Sequence, residues 1–260
     1  MSRTTRVLAI ANQKGGVGKT TTALNLAVGL SMMDRRVLLV DIDPQGNCTT
    51  GLGVELGPDQ PTVAEVLIGE ASVAEARCRP TSAALDLLPA NGDLTAAEVA
   101  LMERDDRAGA LKDALASQRG QYDDILIDCP PALNVLTLNA LTAADRVLIP
   151  MQCEYFALEG LTALVSTIEQ IQGSVNPSLE IEGLVRTMYD IRNNLSGAVS
   201  RQLSEHFGDK LYNTIVPRNV RVAESPSYGE SVLSYDPESR GALAYRGLAG
   251  EYLRRMSTEG

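Results

Sequence analysis

The sequence predicts an α/β fold, a single doubly wound, mainly parallel sheet with helices on both faces, formed by residues 1–260 as one domain. Three observations carry that expectation. Short runs rich in Val, Ile and Leu alternate with longer helical patterns along the chain, the rhythm of βαβ units. The apolar runs are nearly continuous, as strands covered on both faces require. A glycine-rich stretch also sits at the first strand-to-helix junction, and open α/β sheets bind ligands at the carboxyl ends of their strands.

Taken in order, the first apolar run, Val7–Ala11, is the first expected strand, and KTTTALNLAVGLS, Lys19–Ser31, is the helix that follows it. Arg36–Asp41 (RVLLVD) is the second strand. The Gly- and Pro-rich GLGVELGPDQPT, Gly51–Thr62, reads as a loop and not a domain linker, because strand–helix alternation resumes after it. Leu85–Leu88 is the third strand and Arg107–Ser117 a helix. Asp124–Asp128 is the fourth strand, followed by a helix over Leu133–Ala143. Arg146–Pro150, Ile181–Thr187 and Asn213–Val216 complete the strands, with a helix over Leu158–Gln172 and a closing helix over Gly241–Met256.

Composition bounds the function. With 44% hydrophobic and 22% charged residues the chain is of globular type, and with 4% aromatics and no Trp its core must be aliphatic. No apolar run approaches the roughly 18 residues that cross a bilayer, and the apolar stretch near the N-terminus is too short for a signal peptide. A cytoplasmic protein is expected. Cys48, Cys78, Cys129 and Cys153 are widely spaced, which suits reduced, partly buried thiols better than a zinc site or a disulfide framework. His206 is the only histidine and is expected at the surface of a helical stretch. The net charge of −10 argues against whole-surface binding to nucleic acid or acidic lipid. It leaves room for a local basic patch, because the Debye length at physiological salt is about 8 Å.

The most informative stretch is NQKGGVGKTTT, Asn12 to Thr22. Glycines at a strand-to-helix junction let backbone N–H groups turn inward around phosphate oxygens, and the helix N-terminus adds partial positive charge. Lys14, Gly15, Gly16, Val17, Gly18, Lys19, Thr20 and Thr21 are therefore candidate nucleotide-binding residues, a P-loop of NTPase type. Lys19 is placed for the β- and γ-phosphates and the Thr20 hydroxyl for Mg2+. The pattern GxxxxGK[ST] is not fully met, since Gln stands at position 13 and Lys14 adds a second lysine.

Two acidic stretches end later strands. VLLVDIDPQGN carries Asp41 and Asp43, and DDILIDCPPAL carries Asp128. Magnesium takes hard oxygens, one or two carboxylates with phosphates and waters. Asp128 fits a Walker B role, on the metal directly or through water. Asp43 is a candidate for orienting the attacking water and, with Thr20 and Asp128, belongs to the candidate metal set.

With KGGVGKTT, VDIDPQGN, IDCPP, PMQCEYFALEGL, IVPRNVRVAESPSYG and YDPESRGA, the sequence resembles the ParA/Soj chromosome- and plasmid-partitioning ATPases, within the deviant-Walker-A class that also includes MinD. The resemblance covers nearly the whole chain, and the later three stretches are the more specific to the Soj-like branch. It implies ATP and Mg2+ as cofactors, an ATP-dependent homodimer, and Lys14 as the lysine that reaches the phosphates in the partner's site. It implies Pro217 and Asn219 near the adenine. It also implies non-specific binding to the double-stranded DNA of the nucleoid, release through a ParB-like centromere-binding protein, and no membrane partner. Arg218 and Arg221 in PRNVR are the candidate DNA contacts, with Arg192, Arg240, Arg246, Arg254 and Arg255 as further members of a patch.

Alternatives remain open at this point. A MinD-like membrane-cycling ATPase needs a basic amphipathic C-terminal helix, and LAYRGLAGEYLRRMSTEG reads as a packed one. A metabolic P-loop enzyme, a ligase or reductase, is a second class; a cluster-bearing reductase would draw on Cys129 and Cys153. A DNA-binding regulator with a vestigial ATPase is a third.

Overall fold

The computed structural model describes residues 5–155 and 157–258. Phe156 of the PMQCEYFALEGL stretch, and residues 1–4 and 259–260, lie outside the described residues. Seven strands form one sheet: β1 (Arg6–Ile10), β2 (Val37–Asp41), β3 (Asp86–Leu88), β4 (Asp124–Asp128), β5 (Arg146–Gln152), β6 (Glu180–Tyr189) and β7 (Leu211–Pro217). The order is β3-β2-β4-β1-β5-β6-β7 and every neighbouring pair is parallel. Each strand falls on one of the seven expected runs. β6 runs past the expected Thr187 to Tyr189, and that extension bears on the site.

The α-helices of the described residues are α1 (Lys19–Ser31), α2 (Asn47–Gly51), α3 (Val63–Ile68), α4 (Val73–Ala76), α5 (Leu94–Met102), α6 (Ala110–Ala116), α7 (Val135–Ala143), α8 (Ala157–Gln172), α9 (Asn194–Phe207), α10 (Val220–Glu224), α11 (Val232–Tyr235) and α12 (Arg240–Thr258). α3 and α4 were not expected from periodicity, being too short to show one. Their signal is in TVAE and SVAE: Thr62 with Glu65, and Ser72 with Glu75, form reciprocal capping boxes. The expected helix Leu133–Ala143 starts only at Val135, because the Asn134 side chain accepts from Thr137 N and caps it there. His206 sits exposed in the last turn of α9, as expected.

Alternation along the strands feeds two cores. Val7, Ala9, Leu38, Val40, Ile125, Ile127, Val147 and Ile149 pack under α3 and α5–α9. Leu8, Ile10, Leu39, Leu126 and Leu148 pack under α1, α11 and α12. The apolar face of α12 is spent here, with Tyr245, Leu248 and Tyr252 at most 1% exposed. Lifting those three side chains off would cost roughly 5–9 kcal/mol, so this helix is a core element and no free amphipathic anchor. Among the described residues no helix is long and apolar enough to cross a membrane.

Candidate functional site

β1 lies at the centre of the sheet between β4 and β5, and the chain leaves it through the glycine-rich loop into α1. Gly16 (φ +74°) and Gly18 (φ +86°) are left-handed, a conformation that favours glycine, and no atom lies within 4 Å of where a β-carbon on Gly15 or Gly16 would stand. Asn12 anchors the loop's base: its Nδ2 donates to Pro150 O at 2.8 Å and its Oδ1 accepts from Lys14 N at 3.0 Å. Gly18 is the N-cap of α1 and offers no side-chain cap, so the first turn of a 13-residue helix presents its N–H groups to the loop. Val17 is buried, while Thr20 and Thr21 are half-buried.

Lys19 is 7% exposed, and its Nζ donates to Lys14 O at 3.3 Å, folded back over the loop. Burial lowers its pKa, against the charges of Asp128 and Asp43, which raise it. Those carboxylates arrive through strand register: Asp128 of β4 is the neighbour of Ile10 on one side and of Asp41 on the other. Asp128 is fully buried; Cys48 Sγ donates to its Oδ2 at 3.4 Å, the Thr20 hydroxyl lies near the carboxylate, and its Oδ1 is buried with no hydrogen-bond partner. Burial pushes the Asp128 carboxyl up, with the charge of Asp41 adding to it.

Asp43 is 7% exposed, and its Oδ1 accepts from Gln45 N at 3.0 Å. Asp41 shares the face of its register partner Asp128 but is occupied by α2: its Oδ2 accepts from Thr49 N (3.0 Å) and Thr49 Oγ1 (2.9 Å), which fastens α2 to the end of β2. Gly46 (φ +60°) lets this turn pass Ala90, whose carbonyl oxygen would stand 2.7 Å from a β-carbon there. Lys19, Thr20, Asp43 and Asp128 therefore converge on one crevice at the carboxyl ends of β1, β2 and β4.

Lys14 points elsewhere. Its Nζ donates to Glu154 Oε2 at 2.6 Å, an ion pair with its side chains 40% and 51% exposed. Three residues at the carboxyl ends of β5 and β6, which the sequence did not mark, also touch the loop. Gln152 Nε2 donates to Gly16 O at 3.0 Å, Thr187 Oγ1 donates to Val17 O at 2.7 Å, and Met188 lies against Gly18. Nothing in the local pattern marks them, since a Gln and a Thr at strand ends are ordinary.

Pro217 ends β7 opposite Tyr189, and the Asn219 side chain caps α10 by accepting from Val222 N at 3.2 Å. Arg218 is exposed, and its N–H donates to Tyr189 O at 3.1 Å. Arg221 is half-spent, paired with Glu224 at 3.0 Å and Asp236 at 3.2 Å. Arg192 pairs with Asp190 at 2.8 Å. Arg240, Arg246 and Arg254 are exposed on α12. Arg255 does not belong with them. It stacks over the Tyr212 ring at 3.9 Å and donates to Asp209 O, Leu211 O and Glu251, which makes it a structural residue of the α12–β7 contact. The four cysteines are free, with Cys48, Cys129 and Cys153 buried, and Cys129 lies in the core beside Asp128.

Comparison with known proteins gives consistent results. A family model described as an AAA domain matches residues 5–181. The chromosome partitioning protein ParA of Caulobacter vibrioides is 55% identical over 252 residues, covering 96% of this chain and 94% of that protein. The sporulation initiation inhibitor protein Soj of Bacillus subtilis is 49% identical over 246 residues, covering 95% and 97%. Cobyrinic acid a,c-diamide synthase from Mycobacterium smegmatis, solved with ADP and magnesium and with an ATP analog and magnesium, superposes with a TM-score of 0.86. It is 41% identical, covering 98% of this chain and 97% of that one.

Proposed function

Because the chain belongs to the ParA/Soj family of chromosome-partitioning ATPases, we propose that it is a switch that hydrolyses ATP to ADP and phosphate with Mg2+ and binds DNA in its ATP-bound, dimeric state. The observation that carries this reading is the convergence of Lys19, Thr20, Asp43 and Asp128 on the crevice above β1, β2 and β4.

The residues fit the cofactors. The inward-turned loop from Lys14 to Thr21 would cradle the phosphates, with Lys19 on the β- and γ-phosphates. The buried Oδ1 of Asp128, which has no hydrogen-bond partner, and the Thr20 hydroxyl near that carboxylate are oxygens of the kind a hard cation takes. Magnesium would neutralise charge on the phosphates. Asp43, held by Gln45 N at the rim, orients the attacking water and can also reach the metal's water shell.

Lys14 completes a second copy's site. An added positive charge at the γ-phosphate, supplied only when two subunits meet, works as an arginine finger does. The pair with Glu154 is exposed on both sides and therefore weak enough to exchange for a phosphate. Pro217 and Asn219, next to the turn that follows β6, would border the adenine. Arg218, with Arg221 in second place, would contact DNA phosphates across the dimer, and a ParB-like protein would stimulate hydrolysis and release the dimer from the nucleoid. The protein would work in the cytoplasm.

The packed α12 speaks against a membrane-cycling role, and the buried Cys129 and Cys153 against a cluster shared at a surface. The metabolic alternative has a namesake in the M. smegmatis structure at 41% identity, but the C. vibrioides relative, at 55%, is named for chromosome partitioning. ATP turnover, measured alone, with DNA, and with DNA and a ParB-like protein, tests the reading. Stepwise stimulation is expected. Turnover indifferent to both additions would overturn it.

A further inference from the structure

The phosphate loop is gripped from outside by two side chains. Thr187 Oγ1 donates to Val17 O at 2.7 Å from a residue 1% exposed, and Gln152 Nε2 donates to Gly16 O at 3.0 Å. In a planar trans peptide the C=O and the following N–H point to opposite sides. A donor holding Val17 O outward therefore turns Gly18 N–H inward, and one holding Gly16 O outward does the same to Val17 N–H. We propose that Thr187, seconded by Gln152, is a positioning residue that pre-sets the N–H groups of Val17 and Gly18 for the phosphates of the nucleotide.

The neighbouring backbone supports this. Met188 is left-handed at φ +48°, a conformation uncommon outside glycine that persists only where surroundings impose it. Its methyl lies 3.6 Å from where a β-carbon of Gly18 would stand, and Gln152 Nε2 also reaches its Sδ. The end of β6 thus bends at Met188, and its last residues stay on the loop. Without these donors the loop has to find its phosphate-ready shape when ATP arrives, and preorganisation is lost from affinity.

The inference rests on the loop being the ATP site, so Lys19→Ala serves as the control for that reading. In the full-length protein, ATP affinity is measured by calorimetry and turnover by phosphate release, with melting of the nucleotide-free protein to check folding. Thr187→Val, equal in shape but without the donor, is expected to bind ATP about tenfold more weakly, about 1.4 kcal/mol. The change should appear in KM, with kcat altered less than about twofold. Thr187→Ser restores the donor and should restore affinity, and Gln152→Leu should weaken binding by about threefold. Thr187→Val binding ATP as the wild type does, or Thr187→Ser failing to rescue, overturns the proposal. If Thr187→Val does not fold, unchanged affinity in Gln152→Leu overturns it instead. Loss in Lys19→Ala without loss in these variants sinks only this inference, whereas full affinity in Lys19→Ala sinks the site itself.

Discussion

Asp41 and Asp128 are register partners on adjacent parallel strands, and both side chains are wholly buried. Burial pushes both carboxyls above the ordinary carboxylate range; the charge of Asp43 adds to the shift of Asp41, and that of Asp41 to the shift of Asp128. The folded protein therefore holds protons that the unfolded chain releases at about pH 4. Stability of the nucleotide-free protein should fall as pH rises from about 4 toward neutrality, because the native state binds more protons there. Asp123 and Asp190, whose arginine partners lower their pKa values, act in the opposite sense but only at more acidic pH. Thermal melts should give a higher Tm at about pH 5.5 than at 7.5, and Asp128→Asn should remove most of the difference. A flat profile in the parent protein would contradict the assignment.

Lys19 is buried against the loop with Asp128 and Asp43 as its charge partners. Lys19→Ala should abolish tight ATP binding, since charge-assisted bonds to two phosphates are worth on the order of 3 kcal/mol, about a hundredfold in affinity. Calorimetry showing near wild-type affinity would remove Lys19 from this role.

Asp43→Ala leaves the loop, Lys14 and Asp128 in place, so ATP binding should persist while turnover collapses. Light scattering should then find an ATP-bound dimer, whereas Lys14→Ala should bind ATP as a monomer. Glu154→Gln frees Lys14 from an exposed ion pair worth up to about 1 kcal/mol, so dimerisation should tighten by about fivefold at most. Monomers in both the Asp43 and Lys14 variants would end this division of labour.

Arg218 is exposed, while Arg221 is tied to Glu224 and Asp236. Arg218→Glu should therefore cost more DNA affinity than Arg221→Glu, and the double variant should abolish binding with dimerisation intact. With about four to six phosphate contacts across a dimer, log affinity should fall with log salt at a slope of about −4 to −5. Duplex retention by the Asp43→Ala dimer across a salt series measures it. A double variant that still binds, or equal binding in the ADP state, would place the DNA surface elsewhere.

The sequence by itself determined the seven-strand α/β sheet and the phosphate-loop end of the site. Both are written in contiguous residues: apolar runs such as VLLVD make buried strands, and KGGVGKTT at a strand–helix junction has few other uses. Tertiary structure alone decided which partners those residues meet. Lys14 finds Glu154, Val17 finds Thr187, and Asp41 finds Thr49. It also withdrew Arg255 from the arginine patch by stacking it on Tyr212, and left Arg218 more available than Arg221. Most of these pairings join strand ends and loops far apart in the chain, where register and a bend at Met188 set the distances. Periodicity records which face a residue takes, and it carries no record of which distant residue will stand opposite.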